Sequence, residues 1–258
     1  MVRILECLVI VLILSSCGKD EPTGMTNPID MEPGIKLLLL KEVRVNDLLS
    51  DSYIYNPDST VLQSTNYSAS TGDARFIFDY TYTNNIIECA VTSATTGELN
   101  SSRKYTNVNQ TEGLEEFFDG NGELAGFNTY TFDNNSCGYS DLLAVDALGN
   151  ILPSNRIEYI DENCSAIHYS QYDADPEYVR WEYTRNDKFD ANNSTILPFF
   201  RIDKQQSLTK LVRKSQAGTI STNLSYDAEI DYNEHGFPLM ETRIYGDGDV
   251  LVLTYEYY

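Results

Sequence analysis

The residue types that do chemistry are thinly spread in this chain. Its two histidines, His168 and His235, lie far apart in sequence. His235 stands in a turn and His168 beside Tyr169 in a strand-like stretch, so both are expected to be structural. No nucleophile elbow, zinc-binding helix, paired-cysteine or phosphate-loop pattern occurs. The glycine-bearing stretch Asp119–Gly126 carries acids where a phosphate would sit, and is expected to be a hairpin. Carboxylates are abundant, so a glycosidase-type pair has raw material, but abundance also prevents any pair from being nominated. Asp173, Asp175 and Glu177, with Asp187 and Asp190 nearby, could offer oxygens to calcium, which takes about six to eight. Their spacing lacks the glycine and closing glutamate of an EF-hand, so a solvated acidic loop is the expectation. No metal site and no cofactor are expected, and an enzyme is not.

One stretch carries groups suited to binding. His168-Tyr-Ser-Gln-Tyr172 and Tyr178-Val-Arg-Trp-Glu-Tyr183 bring together Tyr169, Tyr172, Tyr178, Tyr183 and the sole tryptophan, Trp181, with polar groups between them. Aromatic faces beside hydrogen-bonding side chains suit sugar rings or extended peptides. The competing reading is core, because Val179, Trp181 and Tyr183 share one strand face and large aromatics on strands are usually buried.

Strands must position these residues. In Arg75–Tyr82 the aromatics Phe76, Phe78, Tyr80 and Tyr82 alternate with mostly polar residues, and Leu251, Leu253, Tyr255 and Tyr257 do the same at the chain end. That period of two is the mark of a half-buried strand. Only Glu112–Phe118 and part of Ser140–Leu148 suggest short helical turns. A degenerate motif punctuates the strands: an apolar or aromatic residue, Asp or Asn, two variable residues, and Gly. It stands at Phe118–Leu124, Val145–Ile151 and Tyr232–Pro238, with looser copies at Tyr55–Val61 and Ile160–Ala166. Asp or Asn caps a type I turn and Gly supplies the positive φ of a bulged hairpin, so each copy marks a reversal. The expectation is one all-β domain over 35–258, an antiparallel up-and-down meander of about 12 strands rolled toward a barrel, with a β-sandwich as the alternative. Charges interleaved among the aromatics of Tyr178–Tyr183 argue against a lipid-facing surface.

Met1–Leu14 has one early basic residue and a short apolar run, followed by Ser15 and Ser16, the layout of a secretory signal over 1–16. Leu14-Ser15-Ser16-Cys17 resembles the bacterial lipobox, which implies lipidation of Cys17 and an outer-membrane address, at the cell surface or on the periplasmic face. Residues 17–34, with three prolines and three glycines, are expected to be a flexible tether. The net charge of -21 argues against nucleic acid and against electrostatic adhesion to anionic lipid. Cys137 and Cys164 occupy similar turn contexts and form the favoured disulfide pair, with Cys89 a buried free thiol.

The segment Ser225–Tyr258 resembles the Tyr-Asp hairpins of YD-repeat proteins. It resembles more closely a group of Bacteroidetes-type lipoproteins that carry a domain of unknown function with a porin-like, rolled antiparallel sheet. The resemblance is strongest over 178–258, where Tyr178–Phe200 also fits it. It implies a fold and a setting, and no activity. The functional expectation is a lipid-anchored envelope protein that binds an extracellular glycan, peptide or protein without catalysis. A structural role in the outer membrane is second, and a hydrolase using paired carboxylates third.

Overall fold

The computed structural model of the 258-residue chain describes residues 38–109, 111–132, 137–152, 154–171, 176–189 and 206–258. The signal segment, Cys17 and the tether lie outside the described residues. The described residues form sixteen strands: β1 (Leu40–Val45), β2 (Leu48–Tyr55), β3 (Val61–Tyr67), β4 (Ala74–Thr83), β5 (Ile86–Ser93), β6 (Leu99–Asn109), β7 (Glu112–Asp119), β8 (Leu124–Phe132), β9 (Tyr139–Asp146), β10 (Ser154–Tyr159), β11 (Ala166–Gln171), β12 (Tyr178–Phe189), β13 (Gln206–Arg213), β14 (Tyr226–Tyr232), β15 (Pro238–Tyr245) and β16 (Val250–Tyr257). Each pairs antiparallel with its neighbours in sequence. β1 pairs with β16, placing Val43 opposite Tyr255 and Val45 opposite Leu253, and the sheet closes. Closure satisfies every strand edge, which an open meander would leave available for aggregation.

Residues directly opposite in a ladder share a face, so two rows traced around the wall separate inside from outside. Tyr82, Ile87, Tyr105, Glu115 and Asn128 are successive partners across β4 to β8, and so are Thr81, Glu88, Lys104, Glu116 and Phe127. The first row belongs to the interior: Ile87, Tyr105 and Tyr130 are buried with Cys89 and Val91, and Phe76, Phe78, Tyr80 and Tyr82 close over them. Leu40, Val43 and Leu253 form a second buried cluster where β1 meets β16. Each such aliphatic or aromatic side chain contributes about 1.5–3 kcal/mol by leaving water.

The second row carries ions. Lys104 lies 3.4 Å from Glu116 and Lys210 3.0 Å from Asp227, pairs worth little individually in water. Their placement matters more than their energy. Large apolar side chains on the outside, such as Ile54 and Leu62, are interspersed with these charges. Charged and apolar side chains are therefore mixed on the outer wall among the described residues.

The architecture corrects three expectations. Sixteen strands replace about twelve, and closure replaces the sandwich alternative. The segments suspected of helical turns are strands β7 and β9. In β7 the alternation is inverted: Glu115 points inward at 5% exposure while Leu114 takes the outer face. In β9 apolar residues occupy both faces, Leu142 packing inside and Leu143 exposed outside. Neither pattern has the clean period of two.

All five copies of the turn motif lie between consecutive strands. Their fifth residues are left-handed: Gly122, Gly149 and Gly236 at φ 82 to 83°, Ser59 at 70° and Cys164 at 61°. Asp119, Asp146, Asn233 and Asp161 each accept a backbone N–H on a side-chain oxygen, closing the turn from its first position. Such capping is local chemistry and needs no help from the rest of the barrel.

Candidate binding site in the barrel interior

The interior is filled unevenly. Aromatic side chains of β4 to β9 occupy one side. Between β1–β2 and β12–β16 a cavity of about 460 Å³ remains. Its lining comes from seven adjacent strands, running from Tyr53 on β2 through Val43 on β1 and Leu253 on β16 round to Leu208 on β13 and Tyr183 on β12, so it lies against one arc of the inner wall. A volume between about 300 and 1,000 Å³ is ordinary for a small-molecule site.

Its polar centre is built by β15 and β16. Glu241 is 7% exposed; Arg243 Nε donates to its Oε1 at 2.6 Å and the Tyr255 hydroxyl donates to its Oε2 at 2.6 Å. The Arg243 guanidinium also lies 4.8 Å from the centre of the Tyr226 ring. Burial works to lower the Arg243 pKa, and the hydrogen bond to Glu241 outweighs it and raises it, so the guanidinium stays charged within the wall. Asp51 also lines the cavity; it accepts hydrogen bonds from Ser50 Oγ at 2.7 Å and Asn66 Nδ2 at 3.1 Å.

Glu115 repeats the theme on the filled side. It accepts from the Tyr130 hydroxyl and from Asn128 Nδ2, and Arg103 lies 3.6 Å away. Its surroundings are packed, which makes it a structural counterpart of Glu241.

A side pocket of about 70 Å³ adjoins the lumen, sharing Tyr183 and Arg185 with it. His168 faces this pocket with both ring nitrogens buried, and neither has a hydrogen-bond partner among the described residues. Burial, then Arg180, presses its pKa down to about 4. The ring lies nearly parallel to Tyr183, 6.5 Å between centres.

The structure distributes the aromatic stretch between the two faces. Trp181 pairs with His168 and Tyr183 with Ala166, both in the inner row, and Arg213 stacks 4.7 Å from the centre of the indole. Tyr169 belongs to the outer row, opposite Arg156 and Val179, with the Arg156 guanidinium 4.1 Å from its ring centre. A bulge between Trp181 and Val179 shifts the register, so Tyr178 partners Ser170. Tyr172 lies outside the described residues, as do Asp173, Asp175 and Asp190. The stretch therefore does not make one continuous surface on the described strands. Of the remaining acids considered for calcium, Glu177 makes two hydrogen bonds to Arg156, at 2.8 and 3.2 Å. Asp187 is exposed. His235 sits in the β14–β15 turn with its side chain half exposed.

Cys137, ahead of β9, and Cys164, in the β10–β11 turn, are joined by a disulfide with their Cα atoms 5.5 Å apart. Cys89 is free and buried on the inner face, and burial pushes its thiol up to about 11, away from the reactive thiolate. Glu241, Arg243, Tyr255 and Arg185 were not candidates on sequence grounds. One signal was available: Leu251, Leu253 and Tyr255 make an apolar face on β16, and that face is in register with Glu241 and Arg243.

Fold and cavity together define a closed, porin-like β-barrel of sixteen antiparallel strands with a partly open interior. The chain is similar to a porin-like protein from Bacteroides uniformis, with a TM-score of 0.55 at 12% identity over 85% of this chain and 98% of that one. A porin-like protein from Bacteroides vulgatus gives 0.50 at 10% identity, with the same coverage. At these identities the likeness is one of fold. No family model matches the chain, and no curated protein does.

Proposed function

We propose that this chain is a lipid-anchored cell-envelope protein whose barrel binds a small extracellular ligand in its interior, without catalysis. The observation that carries the reading is the 460 Å³ cavity, walled by the adjacent strands β12 to β16, β1 and β2 and holding Glu241, Arg243 and Tyr255 in its lining. Polar groups fixed in an apolar wall orient a ligand, and the surrounding Val43, Leu208 and Leu253 supply buried area. The lipobox-like Leu14–Cys17 supports the envelope setting, as do structural neighbours named porin-like and drawn from Bacteroides. The charged outer wall supports a barrel held in water beside a membrane by its lipid. Glycan and peptide fragments are the ligand classes, with Tyr183 lining the cavity and Trp181 two residues before it on the inner row of β12.

The test is a panel of mono- and disaccharides and di- and tripeptides, titrated while Trp181 emission is followed. A saturable change that is weakened at least tenfold by Ile230→Phe, which narrows the cavity, supports the reading. Binding that Ile230→Phe leaves untouched would place the site elsewhere.

A further inference from the structure

A buried imidazole whose two ring nitrogens both lack hydrogen-bond partners carries an uncompensated desolvation cost at each. His168 carries that cost in the described barrel, and it faces a pocket too small for a side chain to enter but wide enough for a few polar atoms. An uncharged imidazole offers one N–H donor and one lone pair. A hydroxyl group, which both donates and accepts, answers the two together; a carboxylate offers only acceptors and an ammonium only donors.

The lumen next to it limits the ligand further. Among the described residues lining the large cavity, Asp51 and Glu241 are balanced by Arg185 and Arg243. The wall therefore sets up no net field for an ion of either sign. A purely apolar ligand would strip water from these four charged groups without replacing its hydrogen bonds, which is costly. Tyr53, Tyr183 and Tyr255 add aromatic faces and hydroxyls around the same space.

We propose that the barrel interior binds a neutral, hydroxyl-rich ring of monosaccharide size, and that His168 reads one of its hydroxyl groups from the side pocket. The proposal rests on the interior-binding reading above and adds the ligand class and the residue that selects it. The ring lies against the tyrosines, its other hydroxyls reach the carboxylates and guanidiniums of the wall, and one hydroxyl enters past Tyr183 and Arg185 to meet the imidazole.

The experiment uses the full chain labelled with 15N-histidine. D-glucose, D-galactose, N-acetyl-D-glucosamine and myo-inositol are titrated by calorimetry and by NMR of the ring nitrogens, with small peptides run in parallel. The chain has two histidines, and half-exposed His235 serves as internal reference. The expected result is saturable binding of at least one polyol, with movement of both His168 nitrogen signals and none at His235. His168→Phe should weaken binding about tenfold, and His168→Gln, which keeps a donor and an acceptor, should restore part of it. The wild-type NMR titration carries the test even where a variant folds poorly. Polyol binding that leaves His168 unmoved overturns the assignment of His168 while the interior site stands. Binding of peptides with no polyol response overturns the ligand class alone, and no binding by any member of either panel overturns both readings.

Discussion

Glu241 and Arg243 sit two residues apart on β15, and nothing in their own strand marks them as buried. Pro238-Leu-Met-Glu-Thr-Arg-Ile-Tyr245 mixes polar and apolar residues on both faces, so each charge passes for a solvated one. Only the register with β16 reveals that this face is the interior. The site was illegible for that reason, since cross-strand pairing is a long-range property. Removing one partner of such a pair leaves the other charge uncompensated. Glu241→Ala should cost about 3 kcal/mol, and the double replacement Glu241→Leu with Arg243→Met much less; urea denaturation of the two variants measures the contrast. His168 gives a second residue-scale expectation. Its folded pKa of about 4 lies below the ordinary histidine value, so the unfolded chain binds the extra proton first as pH falls. The stability it contributes is complete above about pH 6.5 and is lost progressively down to about pH 4. His168→Phe should flatten that part of the stability profile relative to the native chain, by up to about 3 kcal/mol.

At the scale of elements, the turns were readable and the strands between them only in part. Asp119 with Gly122, Asp146 with Gly149 and Asn233 with Gly236 fix their reversals through contacts within five residues, which is why the motif appears in sequence. Strands β7 and β9 were obscured by an inward carboxylate and by apolar residues on both faces, and tight reversals such as Asn46-Asp47, both at positive φ, carry no glycine to announce them. Strand number was therefore undercounted while topology was not. Gly122→Ala tests the turn chemistry cleanly. An added Cβ there meets nothing within 4 Å, so the expected loss of about 1–2 kcal/mol in a denaturation curve comes from backbone strain alone. The disulfide ties two connections separated by 27 residues. Replacing both Cys137 and Cys164 with serine should lower stability by about 3 kcal/mol under oxidising conditions. The same replacement should leave the reduced protein little changed.

For the whole molecule, closure through β1 and β16 places an aromatic and apolar lining inside and ion pairs such as Lys104–Glu116 and Lys210–Asp227 outside, and the proposed function takes this wall to face water. The account therefore expects a chain with Cys17→Ser to partition into the aqueous phase and remain folded without detergent; a chain that precipitates unless detergent is supplied would contradict the water-facing wall. Closure also leaves a lumen of about 460 Å³ that the β4–β9 aromatics do not fill, and the central claim is that this space holds a ligand. The most direct measurement is the titration of small saccharides and peptides against Trp181 emission in the native chain and in Ile230→Phe. The account predicts a saturable response with one ligand per chain that Ile230→Phe weakens at least tenfold. A response of equal affinity in both proteins, or no response from any ligand in the panel, would contradict it.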